Sequence, residues 1–237
     1  MGYDALVVAA HPDDAEAQMG GTLAKLADKG QRILLVDLSD GEPTEFAERG
    51  VRARQAAEAA RILGIDRICL GLPDRLIADT PEIRLEVARL IRAHRPRWVY
   101  GTSEACVHPD HVAAASIVRA AVFLARLDKW DQVPGGERLA GQDAWKVDRL
   151  FFPHCKMEPA WADAAFAVDV SAVYDRKRAA LRAYESIFEQ GNHLLALYEA
   201  EDQYFGRLVG VRYAEIFKAA SPLLVEDPMV FASGIHS

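Results

Sequence analysis

The chain has 237 residues, and 28 Lys+Arg against 35 Asp+Glu give a formal net charge of -7. At 51% hydrophobic and 27% charged, it is too apolar to stay disordered and long enough to bury a core without disulfide staples. The acidic balance argues against a nucleic-acid partner, and no run approaches the roughly 18 apolar residues of a membrane span, so no membrane partner is expected either.

The start, Met1–Val8, has no basic leader, and Cys69, Cys106 and Cys155 form no CxxC pair; both features point to the reducing cytoplasm. Apolar runs at Ala5–Ala10, Arg32–Leu38, Arg67–Leu72 and Trp98–Gly101 have the length and composition of buried parallel strands. Amphipathic segments at Gly21–Lys29, Arg52–Leu63 and Glu82–His94 lie between them. In the last, Ile83, Val87, Leu90 and Ile91 form a helical stripe. A helix over about Asp110–Arg126 comes next, followed by an irregular connection at Gln132–Gly141. Strands at Val147–Phe152 and Ala165–Val170 follow, then two long helices at about Val173–Glu189 and Leu194–Ala219. The order predicts an α/β, Rossmann-like fold. A mostly parallel sheet carries helices on both faces, with C-terminal strands and two long helices, in a single domain over residues 1–237.

In such sheets ligands gather beyond the carboxyl ends of the strands. Two segments stand there: His11-Pro12-Asp13-Asp14 after the first strand, and His108-Pro109-Asp110-His111 after the fourth. Either alone can be a turn, with Asp13 or Asp14 merely capping the next helix. Together they supply a two-histidine, one-carboxylate set, His11, Asp14 and His111, which leaves a position open for water on a catalytic zinc ion. Ferrous iron suits the same ligands. Asp13 is placed to take a proton from that water, and His108, oriented by Asp110, to stabilise the oxyanion or leaving amine. The combination describes metal-assisted hydrolysis of an amide. Arg52, Arg54 and Arg75 lie near the same face, where an arginine can bind substrate hydroxyls or a carboxylate. Gly20-Gly21-Thr22 resembles a phosphate-binding turn. Lacking the rest of a dinucleotide fingerprint, its glycines are read as permitting close packing. Cys69 is expected in the core, and Cys106 is not counted among the ligands.

These motifs, with Gly20-Gly21-Thr22-Leu23, resemble the PIG-L/LmbE-like zinc deacetylases, which remove acetyl groups from N-acetylglucosaminyl conjugates. The resemblance is closest to the bacillithiol-biosynthesis branch, through Asp40-Gly41-Glu42-Pro43-Thr44, Leu72-Pro73-Asp74-Arg75, Leu181–Ser186, Tyr204-Phe205-Gly206 and Gly210–Glu215. It implies zinc on His11, Asp14 and His111, Asp13 as general base, and His108 with Asp110 stabilising the tetrahedral intermediate. It also implies that Arg52 and Tyr184 contact substrate, that the substrate is N-acetylglucosaminyl malate, and that the protein forms trimers or hexamers. The chain departs from the branch at Glu104-Ala105-Cys106-Val107, where an arginine-ending stretch is usual, at Gln55 in place of Glu, and in a longer Gln132–Lys146 connection. The resemblance therefore bears more on the reaction than on the aglycone. Other expectations are deacetylation of another N-acetylated sugar or antibiotic precursor, or a non-catalytic Rossmann-like binding module.

Overall fold

The computed structural model describes residues 2–44, 47–155, 163–188 and 193–227. Among them, strands β1 (Ala5–Ala9), β2 (Ile33–Ser39), β3 (Asp66–Leu72), β4 (Trp98–Tyr100), β5 (Arg149–Pro153), β6 (Phe166–Asp169) and β7 (Ala214–Ala219) form one sheet in the order β3-β2-β1-β4-β5-β7-β6. The first five pair in parallel, and β7 runs antiparallel to both of its neighbours. The helices are α1 (Asp14–Asp28), α2 (Val51–Leu63), α3 (Pro81–His94), α4 (Pro109–Ala125), α5 (Tyr174–Arg182), α6 (Glu185–Phe188) and α7 (Leu194–Leu208). None of them is long and apolar enough to cross a membrane.

Alternation along β1 builds the core. Leu6 and Val8 face an apolar layer with Val87 and Ile91 of α3 and Ala114 and Val118 of α4. Ala5, Val7 and Ala9 face the opposite layer, with Met19 and Leu23 of α1, Ala59 and Leu63 of α2, and Leu181 of α5. The strand order reverses direction at β1, with β2 on one side and β4 on the other. That switch point opens a crevice at the carboxyl ends of β1 and β4, where the two histidine motifs begin.

The sheet and its two helical layers match the expected fold class, and four local expectations need correction. The last helix stops at Leu208, and Gly210 turns the chain with φ 79° so that Ala214–Ala219 becomes β7 rather than more helix. The helix expected over Val173–Glu189 is split into α5 and α6, and Glu189 lies outside the described residues. Strand β3 is the sheet edge, so Cys69 is exposed rather than buried in the core. Helix α1 begins seven residues early, at Asp14, and is broken at Met19 (φ -148°, ψ 21°).

That break explains the glycine pair. The backbone N–H groups of Gly21 and Thr22 donate to the carboxylate of Glu215 on β7 at 2.9 and 2.7 Å. The anion-binding turn suggested by Gly20-Gly21-Thr22 is thus filled by the protein's own carboxylate. Gly21 also leaves room for Val170, which a Cβ would approach to 2.6 Å. Glu215 in turn accepts from Lys177 Nζ at 2.8 Å, and Lys177 is fully buried.

Arg92 of α3, only 4% exposed, holds the long connection after α4. It donates to the carbonyls of Ala125 (3.0 Å), Leu139 (3.1 Å) and Gln142 (2.8 Å), and to that of Leu127. Arg92→Ala removes every one of these donors and leaves the carbonyls of Ala125 and Leu139 buried without them. A stability loss of about 3 kcal/mol is expected, read as a Tm lower by roughly 6–12 °C; an unchanged Tm would show that water replaces the guanidinium.

Candidate functional site

Beyond β1, Asp13 occupies the N-cap position of α1 but makes no side-chain capping bond, and its φ of 104° is unusual for a residue with a side chain. Such backbone strain costs about 1–3 kcal/mol and gathers where a side chain must point in a set direction. Capping therefore does not account for Asp13. Its carboxylate is held instead by Arg52 of α2, whose Nη2 lies 2.9 Å from Oδ1. Arg52 spends its other donors on the carbonyls of Pro12 and Gly41.

Beyond β4, His108 is the N-cap of α4 and Pro109 its first residue, where the missing N–H costs nothing. His108 Nδ1 accepts from the backbone N–H of Asp110 at 3.2 Å, which leaves the proton of the neutral ring on Nε2. The carboxylate of Asp110 points elsewhere, to His11 Nε2 at 3.1 Å. Asp110 thus orients His108 through its backbone N–H and His11 through its side chain.

The two loops converge. Asp14 reaches His111 Nε2 at 3.1 Å and His11 Nδ1 at 3.4 Å, and also accepts from the His11 backbone N–H at 2.9 Å. Ligand-capable atoms of His11, Asp14 and His111 all lie within 4.8 Å of one another, and those of His11, His108 and Asp110 form a second such group. A third group, Cys106, His111 and Cys155, shares His111. The first group fits a zinc ion by its chemistry: two imidazoles and one carboxylate. Its outer partners suit the role too, since Thr102 Oγ1 holds the His111 carbonyl at 2.9 Å and Cys106 Sγ lies 3.2 Å from His111 Nδ1, leaving Nε2 turned to Asp14.

Electrostatics separates the two aspartates. Burial raises the pKa of Asp13; Arg52 opposes this and the charges of Asp14 and Glu16 add to it, leaving it at about 6. Burial would raise Asp14 as well, but His111 and His11 hold it well below the usual carboxylate range. Burial lowers His108, helped by the nearby charges of His111 and His11. For His111, burial is outweighed by the charge and hydrogen bond of Asp14, which raise it to about 11 without a metal. The spot between Asp14 and His111 therefore attracts positive charge.

These groups line a cavity of about 370 Å³ with Thr44, Arg52, Asp74, Arg75, Ser186 and Tyr198. Of the expected substrate contacts, Arg52 and Arg75 are present, Arg75 at the rim with its side chain 67% exposed. Arg54 is exposed and not part of the lining. Tyr184 does not reach the cavity: it is fully buried, donates to Glu16 Oε1 at 2.8 Å and accepts from Arg67 at 2.9 Å, behind α1. Tyr198 of α7 lines the cavity instead. Asp74, 3.0 Å from His11 Nε2, is the main residue that sequence reasoning did not single out for a role. Its one signal was a carboxylate just past the end of a strand. At the departures from the branch pattern, Gln55 accepts from the lining residue Ser186 at 2.7 Å, and Glu104 pairs with Arg119 at 2.6 Å.

The family description GlcNAc-PI de-N-acetylase (PIG-L) matches residues 6–122, which include both histidine motifs. The chain is 30% identical over 227 residues to the diacetylchitobiose deacetylase of Thermococcus kodakarensis, covering 89% of this chain and 80% of that protein. The chain belongs to the PIG-L family. The chain also resembles a hydratase: it is 27% identical to the 4-oxalmesaconate hydratase of Pseudomonas putida, over 75% of this chain and 71% of that protein. Among solved structures, the conserved protein TT1542 of Thermus thermophilus superposes with a TM-score of 0.83 at 40% identity, covering 94% of this chain and 97% of that one. This PIG-L chain thus shares its relatives' architecture along nearly its whole length.

Proposed function

We propose that this protein is a zinc-dependent N-deacetylase of an N-acetylglucosamine conjugate, with N-acetylglucosaminyl malate as its substrate. The observation that carries the reading is the separation of roles within one cavity. His11, Asp14 and His111 form a candidate ligand set, Asp13 stands beside it with its pKa raised by burial to about 6, and His108 presents a neutral Nε2–H. A zinc ion held by the three ligands supplies Lewis acidity at the acetyl carbonyl.

The chain's own groups do the rest. Asp13, ionised and steadied by Arg52, takes a proton from the attacking water. With a pKa of about 6 it can return that proton to the leaving amine, so that acetate and a free amino sugar are released. His108 Nε2–H donates to the oxygen that becomes negative, and needs no protonation to do so. Asp74 and Asp110 fix His11. Arg75, at the rim, is the cation that a malate carboxylate would meet.

The direct test is free-amine release by zinc-loaded protein from N-acetylglucosaminyl malate and from neutral diacetylchitobiose. Turnover of the first, abolished by a chelator and restored by zinc, is expected. No amine from any N-acetylated sugar at full metal occupancy would overturn the deacetylase reading in favour of the hydratase chemistry of the Pseudomonas putida relative. Arg75→Ala should raise KM for the malate conjugate by about fivefold, the scale of one exposed ion pair, and leave the neutral disaccharide unchanged. Equal effects on both substrates would remove Arg75 from anion recognition.

A further inference from the structure

Two thiols meet behind His111, and amide hydrolysis uses neither. Cys106 lies in the loop between β4 and α4 and Cys155 just past β5, yet their Sγ atoms are 2.9 Å apart. Both are at most 5% exposed. Cys106 Sγ also stands 3.2 Å from His111 Nδ1, on the side of the ring opposite the Nε2 that faces Asp14. Two sulfurs ligating one tetrahedral zinc ion at about 2.3 Å each would stand about 3.8 Å apart. A separation of 2.9 Å is therefore too short for a shared ion and needs under about 1 Å of movement to reach a disulfide bond.

We propose that Cys106 and Cys155 are an oxidant-sensitive thiol pair, and that their disulfide withdraws Cys106 from His111 and loosens the site's hold on its metal. The oxidant is a hydroperoxide, hydrogen peroxide in the simplest case. The Cys106 sulfur attacks one peroxide oxygen, the O–O bond breaks, and a sulfenic acid and one water result. The Cys155 sulfur then attacks the Cys106 sulfur; the S–S bond forms, the S–O bond breaks and the oxygen leaves as a second water. Two thiols have lost two electrons and two protons to the peroxide. In the reduced state the Cys106 sulfur accepts from His111 Nδ1–H and fixes the ring with Nε2 toward Asp14. In the disulfide that sulfur is drawn toward Cys155. Loss of such an outer partner weakens metal binding by about 10–100-fold.

The effect on metal binding rests on the reading of His111 as a ligand; formation of the disulfide does not. The experiment titrates zinc-loaded, full-length protein with hydrogen peroxide, then alkylates, digests and weighs the peptides while a chromogenic chelator reports zinc affinity. The expected result is a Cys106–Cys155 cross-linked peptide, zinc affinity lower by at least about tenfold, and reversal of both by dithiothreitol. Cys155→Ala, or Cys155→Ser should that variant not fold, is expected to bind zinc normally before oxidation and, under peroxide, to give no cross-link and no loss of zinc affinity that dithiothreitol reverses through a Cys106–Cys155 disulfide. Exposed Cys69 serves as the internal control for oxidant dose. If Cys69 is oxidised while Cys106 and Cys155 still alkylate, or if the pair goes to separate sulfinic acids, the proposal is overturned. A cross-link formed with unchanged zinc affinity overturns its coupling to His111. Failure of the reduced protein to release amine bears on the deacetylase reading alone.

Discussion

Asp13→Asn is expected to lower the kcat of zinc-loaded protein by about 10²–10⁴-fold, the usual contribution of a positioned general base, with no change in metal content. The substitution preserves size and leaves an amide oxygen that can still accept from Arg52, so the strained turn at φ 104° should survive. What it removes is a carboxylate of the cavity whose pKa burial raises to about 6 and which makes no side-chain capping bond to α1. Asp14, its neighbour, is committed to His111 and His11 and held far below that range, so it cannot substitute as a base. Steady-state kinetics and metal content on the same sample decide the outcome. Activity within about fivefold of the parent would take proton transfer away from Asp13, and loss of zinc would make it a ligand instead.

The largest stability effect is expected at Lys177. Its Nζ lies 2.7 Å from Asp202 and 2.8 Å from Glu215, and all three side chains are buried. Tyr174 donates to Asp202 from the other side at 2.8 Å. Lys177→Met leaves two buried carboxylates facing each other without a cation, which costs about 3–5 kcal/mol and should lower Tm by roughly 6–20 °C. Adding Glu215→Gln removes one of those charges, so the double variant should be more stable than Lys177→Met alone. Thermal unfolding of the two variants tests this. A double variant less stable than Lys177→Met would mean that the bonds from Glu215 to Gly21 and Thr22 matter more than the charge balance.

Much of this fold was legible because β1, β2 and β4 are short apolar runs buried on both faces, a pattern with few alternative readings. β7 was not: Ala-Glu-Ile-Phe-Lys-Ala reads equally as helix, and what makes it a strand is its insertion between β5 and β6. Cys69 was misplaced because a sequence does not say which strand is the edge. At the site, the two histidine motifs were legible since each is local in the chain and follows a strand. Asp74 and Tyr198 arrive from separate segments with no signature of their own. Asp110 holds His108 through its backbone N–H, because side chains two apart at a helix start do not face each other; its carboxylate turns across the crevice to His11, a contact the local motif does not announce. Tyr184 is likewise near the site in sequence pattern but behind α1 in space, where Glu16 and Arg67 claim its hydroxyl.

The carboxylate that starts the second half of α1 comes from Glu215, 194 positions after Gly21. All three candidate zinc ligands precede Glu215 by more than a hundred positions, so a ribosome has made every one of them well before that carboxylate. The nascent chain at that stage has the groups to catch a metal ion but not the clasp that shapes the helix bearing Asp14 at its head. Such long-range closure is expected late in folding, because the loop it closes spans 194 positions. Synthesis of these three groups and the final form of the helix that carries Asp14 are thereby separated in time, and a chain stopped short of β7 is expected to carry the groups without that clasp.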